Sequence, residues 1–253
     1  MANLKLILID VSSHQGKINW AEVKKHIDGA IIRCGYGSDY PSQDDKRFKE
    51  NVEACIAHGI PFGVYLYSYA KTINAAKSEA NHVLRLLEPY KGKLSYPVYL
   101  DLEEKGTEAG AVERALVFGD AIEKAGYWCG IYANQYWWRT YLKGRLNRFT
   151  KWVAKYSNTP PSGISGTYDI WQYSSECRIP GIEEDVDMNI CYRDFPAVIC
   201  GKVAEPKPKK SVLEIAKEVI TGLWGNGVDR KKKLKDAGYD SKEVQNKVNE
   251  LLK

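Results

Sequence analysis

Four acidic residues of this chain follow apolar, β-rich runs. They are Asp10 after residues 4–9, Asp101 and Glu103 in Tyr99-Leu100-Asp101-Leu102-Glu103, and Asp187 in Val186-Asp187-Met188-Asn189. Such runs read as strands, so each acid stands at or near a strand end. Asp101 and Glu103 are two apart, which puts both side chains on one face with Cα atoms about 6.6 Å apart. Neighbouring carboxyl groups cannot both ionise freely, and the pKa of one rises. A carboxylic acid that keeps its proton near neutral pH can donate it to a glycosidic oxygen. Alone, a D-x-E pair more often marks a solvated strand end or a metal ligand. With Asp10 and Asp187 at other strand ends, the four acids become the candidate catalytic set. Tyr65, Tyr67, Tyr132, Trp152, Tyr156, Trp171, Gln172 and Arg33 fall at the same ends. Aromatic faces stack on pyranose rings, so this group reads as substrate-binding. For Arg33 two readings stand level, a substrate contact or internal pairing with an acid of the site.

Strands are expected over 4–10, 29–34, 61–69, 96–102, 127–133, 151–154, 168–173 and 185–189. Helices are expected over 19–26, with Asn19 as cap, and near 46–57, 74–87 and 109–125. Alternation of apolar strands with helices implies a parallel sheet. About eight strands in roughly 200 residues imply a closed but irregular (β/α) barrel, with its chemistry at the C-terminal strand ends. After 133 the helices thin out.

The charge excess is confined to one end. Residues 202–253 hold 13 Lys+Arg against 8 Asp+Glu, whereas residues 1–201 hold 24 of each. Between them runs Ala204-Glu205-Pro206-Lys207-Pro208-Lys209-Lys210, a composition that favours an extended, solvated spacer. The expected organisation is therefore an α/β catalytic barrel over 1–201, a Pro/Lys linker over 202–211 and a small three-helix module over 212–253.

With 44% hydrophobic and 27% charged residues, the chain is neither disordered, collagen-like nor a coiled coil. No apolar run reaches the roughly 18 residues of a membrane span, so no membrane insertion is expected. The apolar stretch 6–11 is too short for a secretory signal, and synthesis in the cytoplasm without export by its own signal is expected. Six cysteines without a CxxC pair point to buried free thiols, with no metal site and no cofactor. Gly35-Tyr36-Gly37 lacks the rest of a phosphate loop. His14 reads as a loop or substrate contact, and Tyr136-Trp137-Trp138 as helix packing. The run Arg230-Lys231-Lys232-Lys233 reads as a solvated face, and no nucleic acid is expected.

Several blocks, in order and over about residues 4–195, resemble the family 25 glycoside hydrolases, the Chalaropsis-type lysozymes. They are Ile9-Asp10-Val11-Ser12-Ser13-His14-Gln15-Gly16, Gly63-Val64-Tyr65-Leu66-Tyr67-Ser68, Tyr99 to Glu103, Trp152-Val153-Ala154-Lys155-Tyr156, Asp169-Ile170-Trp171-Gln172-Tyr173-Ser174 and Val186 to Asn189. The resemblance implies an N-acetylmuramidase that cleaves the β-1,4 bond from N-acetylmuramic acid to N-acetylglucosamine in peptidoglycan. It implies Glu103 as general acid/base, Asp101 as the group orienting the 2-acetamido substituent, and Asp10 and Asp187 as shaping and polarising the site. It leaves open retention by neighbouring-group participation or by a direct nucleophile.

Residues 213–227, Leu213 to Trp224-Gly225-Asn226-Gly227, resemble a cell-wall-binding repeat of a pneumococcal phage lysozyme. The similarity continues through Arg230, Leu234, Ala237-Gly238-Tyr239-Asp240 and Val244-Gln245. It implies a muropeptide-binding module with Trp224, Gly225, Asn226, Arg230 and Tyr239 as its candidate contacts, present in one copy. Together the two resemblances imply an endolysin that acts on the Gram-positive wall once a separate holin has opened the membrane. A catalytically silent, lectin-like wall protein is the alternative, opposed by the intact set of four acids. A chitinase is opposed by the absence of the longer D-x-x-D-x-D-x-E pattern.

Overall fold

The structure, a computed structural model, describes residues 4–201 and 211–252. They divide into two compact units, one within residues 1–204 and one built on residues 205–253. The expected linker falls on residues 202–210, outside the described residues. Ser211, assigned to that linker from sequence, instead caps the first helix of the second unit.

In the first unit β1 (Leu6–Val11), β2 (Gly29–Tyr36), β3 (Phe62–Tyr67), β4 (Val98–Asp101), β5 (Cys129–Asn134), β6 (Thr150–Ala154), β7 (Ile170–Cys177) and β8 (Val186–Cys191) close into a barrel in chain order. Pairings from β1·β2 through β6·β7 are parallel, as expected for strands buried on both faces. The last strand departs from the parallel sheet expected from sequence: β8 runs antiparallel to β1. Its approach explains why. A parallel return needs a crossover of a dozen or more residues, and the 178–185 connection carries no helix to make one.

The helices are α1 (Trp20–Val23), α2 (Phe48–His58), α3 (Ile73–Leu87), α4 (Ala111–Lys124), α5 (Gln135–Trp137) and α6 (Phe195–Cys200). Asn19 caps α1 as expected, and Thr72 caps α3 by accepting from the Ala75 amide at 3.1 Å. Ala76, Ala80, Val83 and Leu87 bury one face of α3, and Ala111, Ala115, Phe118 and Ile122 one face of α4. After α5 the chain makes a π-helical turn, Trp138–Leu142, instead of a full helix. Trp137 and Trp138 are buried there, as the packing reading requires, and Tyr136 is exposed. The α6 helix was not expected. Asp194 caps it and Pro196 stands in its first turn, a start signal easily missed in so short a helix. Phe195 from α6 packs against Tyr96, with ring centroids 5.8 Å apart.

Inside the barrel, Trp152 is the centre of an aromatic cluster. Its ring meets the edges of Tyr65, Tyr99 and Tyr132 at centroid distances of 5.9, 5.2 and 4.6 Å. Cys34, Cys55, Cys129 and Cys191 are buried free thiols; Cys177 is half-buried and Cys200 exposed.

The second unit contains α7 (Val212–Ile220), α8 (Gly227–Asp236) and α9 (Ser241–Leu251), the three helices expected from sequence. Ser211 and Glu214 form a capping box on α7. Asp240 caps α9 by accepting from the amides of Lys242 and Glu243. Ile215, Ala216, Val219, Leu234, Val244 and Val248 form a small core of its own.

One position in α4 tests the packing. A Cβ on Gly119 would run into the ring of Phe149, which is only 3% exposed. Alanine's helix propensity favours the exchange by about 1 kcal/mol, but overpacking opposes it by about 1–3 kcal/mol. Gly119→Ala should therefore lower the unfolding free energy in a urea titration, and Phe149→Leu in the same chain should restore most of the loss.

Candidate active site

The closing pair of strands brings the first two acids together. Asp10 on β1 lies directly opposite Asp187 on β8 in their antiparallel register. Opposed residues of such a pair share one face. Asp101 is the last residue of β4 and aligns with Tyr67 on β3 and Tyr132 on β5. Glu103, expected on the strand itself, lies two residues past its end. The Leu102 amide still donates to the Tyr132 carbonyl at 2.9 Å, so the extended path continues far enough to keep Glu103 beside the others. All four acids of the candidate set therefore meet at one mouth of the barrel.

Their mutual repulsion and their burial both oppose ionisation. Burial pushes the Asp101 carboxyl well above the usual range, and the charges of Glu103, Asp10 and Asp187 add to the effect, while Arg33 opposes it. Its Oδ1 is buried without a hydrogen-bond partner. Asp187 is pushed up to about 8 by burial and by the Asp10 and Glu103 charges. Glu103 is an exposed residue, yet burial of its carboxyl raises it, and the Glu104 charge adds to the effect. Asp10 rises to about 6 through burial, held back by two amide donors.

Those donors define a network. Gln172 Nε2 donates to Asp10 Oδ2 at 3.0 Å, and Asn189 Nδ2 donates to the same oxygen at 2.8 Å. The hydroxyls of Tyr132 and Tyr156 donate to Gln172 Oε1 at 2.9 and 3.1 Å. Trp152 Nε1 donates to Asn189 Oδ1 at 2.7 Å. Asn189 was missed as a site residue. Its signal was its place two residues after Asp187 in a strand, which puts both on one face.

The aromatic candidates divide. Tyr65 and Tyr132 lie in the cluster around Trp152, and Tyr156 is exposed above it. Trp152 itself is 1% exposed, so it forms the floor of the site and cannot stack on a sugar. Trp171 alternates with Gln172 along β7 and so faces away from the acids; its indole donates to the Lys155 carbonyl at 2.9 Å. Tyr67 donates to Glu104 at 2.9 Å, a partner the sequence did not single out. Tyr69 is exposed at the same rim, 5.0 Å from the Tyr67 ring and 6.1 Å from that of Tyr36. Buried Glu79 holds the Tyr69 segment by accepting from the Ser68 hydroxyl and the Tyr69 amide. Arg33 pairs internally, but with Asp45 at 2.8 Å and with Ser13 at 3.1 Å, rather than with one of the four acids. A cavity of about 730 Å³ lined by Ile18, Trp20, His58 and Ile182 contains none of the four acids, so chemistry rather than volume identifies the site.

In the helical unit the Trp224 indole donates to Glu218 at 2.9 Å, and its ring meets the edge of Tyr239 at 6.3 Å. Arg230 donates to Gln245 at 2.9 Å. Gly225 takes a left-handed backbone, φ 68°, and Asn226 beside it is exposed. The candidate wall-binding residues thus lie in the turn between α7 and α8 (Trp224, Gly225, Asn226), in the first turn of α8 (Arg230) and just past the end of α8 (Tyr239).

Comparison with known proteins follows the same division. The sequence profile of glycosyl hydrolases family 25 matches residues 9–182, and that of the CW_7 repeat matches residues 214–252. Lysozyme of Streptococcus phage Cp-7 is 27% identical over 97% of this chain and 70% of that protein. Among solved structures, the modular autolysin LytC of Streptococcus pneumoniae is similar with TM-score 0.62 and 31% identity, over 74% of this chain and 47% of that one. The catalytic domain of endolysin ply40 from bacteriophage P40 of Listeria monocytogenes is similar with TM-score 0.67 and 26% identity, over 80% of this chain and 100% of that one. The chain thus spans about half the length of the autolysin.

The raised carboxyls carry a stability signature. Between its ordinary value of 3.8 and the folded value of about 8, Asp187 binds a proton in the folded chain that the unfolded chain has released. Stability from this group is full below pH about 4 and falls as pH rises through 8. Asp187→Asn should therefore leave the unfolding free energy nearly unchanged at pH 4 and raise it at pH 8 by at least about 1.4 kcal/mol, one pKa unit's worth. Denaturant titrations at the two pH values check this. An equal change at both would remove Asp187 from the suppressed set.

Proposed function

Because the chain belongs to glycosyl hydrolases family 25 and is a glycoside hydrolase of the lysozyme kind, we propose that it is an N-acetylmuramidase of the endolysin type. It hydrolyses the β-1,4 bond between N-acetylmuramic acid and N-acetylglucosamine in Gram-positive peptidoglycan. The observation that carries this reading is the meeting of four acids at one mouth with only Glu103 exposed. LytC has been solved in complex with a synthetic peptidoglycan ligand, which supports the substrate class.

The residues take the following roles on this reading. Glu103, with a raised pKa and access to solvent, gives its proton to the leaving glycosidic oxygen and later takes one back from water. Asp101, at the end of β4 next to Glu103, orients the 2-acetamido group of the substrate. Asp10, the acid with two amide donors, supplies the negative field that favours the positive charge developing at the anomeric carbon, and Asp187 opposite it, kept protonated, shapes the site. Exposed Tyr156 and Tyr69 offer ring faces to the sugars. Residues 1–201 carry the chemistry, and residues 212–253 hold the enzyme on the wall by the Trp224 to Arg230 segment and Tyr239. The similarity to the lysozyme of phage Cp-7 supports a role in host-wall lysis, and the proposal adds synthesis in the host cytoplasm and a separate holin that opens the membrane. A silent wall-binding protein would have no use for a cluster of acids whose ionisation is suppressed at a cost in stability.

Glu103→Gln should abolish lysis while the protein stays folded and wall-bound, since the amide matches the acid in size and lacks only the proton. Turbidity clearing of Gram-positive walls should fall about 10²–10⁴-fold. Retention of more than about a tenth of the activity would remove Glu103 from the acid role. A chain ending near Lys202 should cleave small soluble muropeptides at a near-normal rate and clear whole walls more slowly. Equal clearing by both chains would remove the targeting role of the helical unit.

A further inference from the structure

The Asp10 carboxyl is held from two sides, and the two arms differ. On the mouth side Gln172 links it to the hydroxyls of Tyr132 and Tyr156. Tyr156 is 57% exposed, so this arm ends in solvent where substrate binds. On the inner side Asn189 links it to the Trp152 indole. Asn189 is 0% and Trp152 1% exposed, so this arm is sealed.

The sealed arm also has a fixed direction. A tyrosine hydroxyl both donates and accepts, so it does not dictate which way an amide points. An indole N–H only donates. The Asn189 atom 2.7 Å from Trp152 Nε1 must therefore be the amide oxygen, which turns the NH₂ group toward Asp10. The second amide hydrogen has the Leu8 carbonyl as acceptor at 3.5 Å.

We propose that Trp152 and Asn189 form a buried positioning relay in which the indole N–H sets the direction of the Asn189 amide, and that this amide makes Asp10 the acid that carries the negative charge. The inference rests on the muramidase reading for its catalytic consequence, but its electrostatic content stands independently. Every charged or titratable group facing Asp10 bears on the outcome. These are Asp187 on β8, Asp101 and Glu103 at β4, Tyr65 on β3, Tyr132 on β5 and Tyr156 after β6. Arg33 on β2 is the cation among them, and it is committed to Asp45 and Ser13. Arg33 acts on Asp101 through its charge alone, whereas the hydrogen-bond donors converge on Asp10. A charge fixed there keeps protons on its neighbours Asp101 and Asp187 while Glu103 cycles at the mouth.

Trp152→Phe removes the N–H and keeps an aromatic ring. The Asn189 amide then loses its reason to point one way, and its oxygen can turn toward Asp10. Asn189→Leu removes the donor outright. The test compares the full-length chain and both variants by two readouts: the carbon-13 NMR titration of aspartate carboxyls, and the pH dependence of kcat and KM on soluble muropeptides. In both variants Asp10 should titrate about one pH unit higher, a tenfold change in proton affinity. The acid limb of kcat should move up by the same amount, with KM changed less than twofold and much of the activity recovered at higher pH. A merely structural role would lower activity evenly across pH and leave the Asp10 titration in place. That result in Trp152→Phe, with unchanged near-ultraviolet circular dichroism, would overturn the relay even where Asn189→Leu fails to fold. An inactive wild-type chain would contradict the muramidase reading alone, because the NMR arm still supports or overturns the relay.

Discussion

The structure turns on the antiparallel closure of β8 against β1. This one pairing seals a barrel whose pairings from β1·β2 through β6·β7 run parallel, and it sets Asp10 face to face with Asp187. Like-charged residues directly opposite each other destabilise a strand pair. The pair survives because Asp187 is pushed toward its neutral form and because two amides converge on Asp10. The rest of the site is arranged around that pair. Asp101 enters from β4 with a bare oxygen, Glu103 overhangs from the loop beyond it, and buried Trp152 with Tyr65, Tyr99 and Tyr132 forms the floor.

A site of this kind is a local weakness that the surrounding elements must outweigh. Strands β1 to β7 carry most of the buried apolar side chains of the barrel, and α3 and α4 cover the sheet with their apolar faces. The loops at the mouth are tied down one by one. His82 and Arg85 on α3 hold Asp44, Arg33 holds Asp45, and Glu79 holds Ser68 and Tyr69. The rim that meets the substrate is therefore anchored to the helices. The helical unit has its own core and caps, so its binding residues do not depend on the chemistry of the barrel.

Much of this was legible in the residues, because the features that carry it are local. Apolar runs ending in acids located the mouth, and Asn19 located the start of α1. What stayed hidden depends on what lies across space. The direction of β8 follows from a connection too short to cross the barrel. Glu103 left its strand because β4 is only 4 residues long. Trp152 is a sugar-binding type by composition and a floor by position, and only burial separates the two. Trp171 is set apart from Gln172 by strand alternation alone, a distinction the pattern contained. Asp45 as the partner of Arg33, and Asn189 as the second donor to Asp10, needed the fold. The short α6 needed attention to one Asp and one Pro.

The central claim is that this arrangement of acids cuts glycan strands next to muramic acid. Mass spectrometry of borohydride-reduced digests of purified Gram-positive walls addresses it most directly. The account predicts new fragments that end in reduced N-acetylmuramic acid, formed by the wild-type chain. Fragments ending in reduced N-acetylglucosamine, or released peptides without new sugar ends, would contradict it.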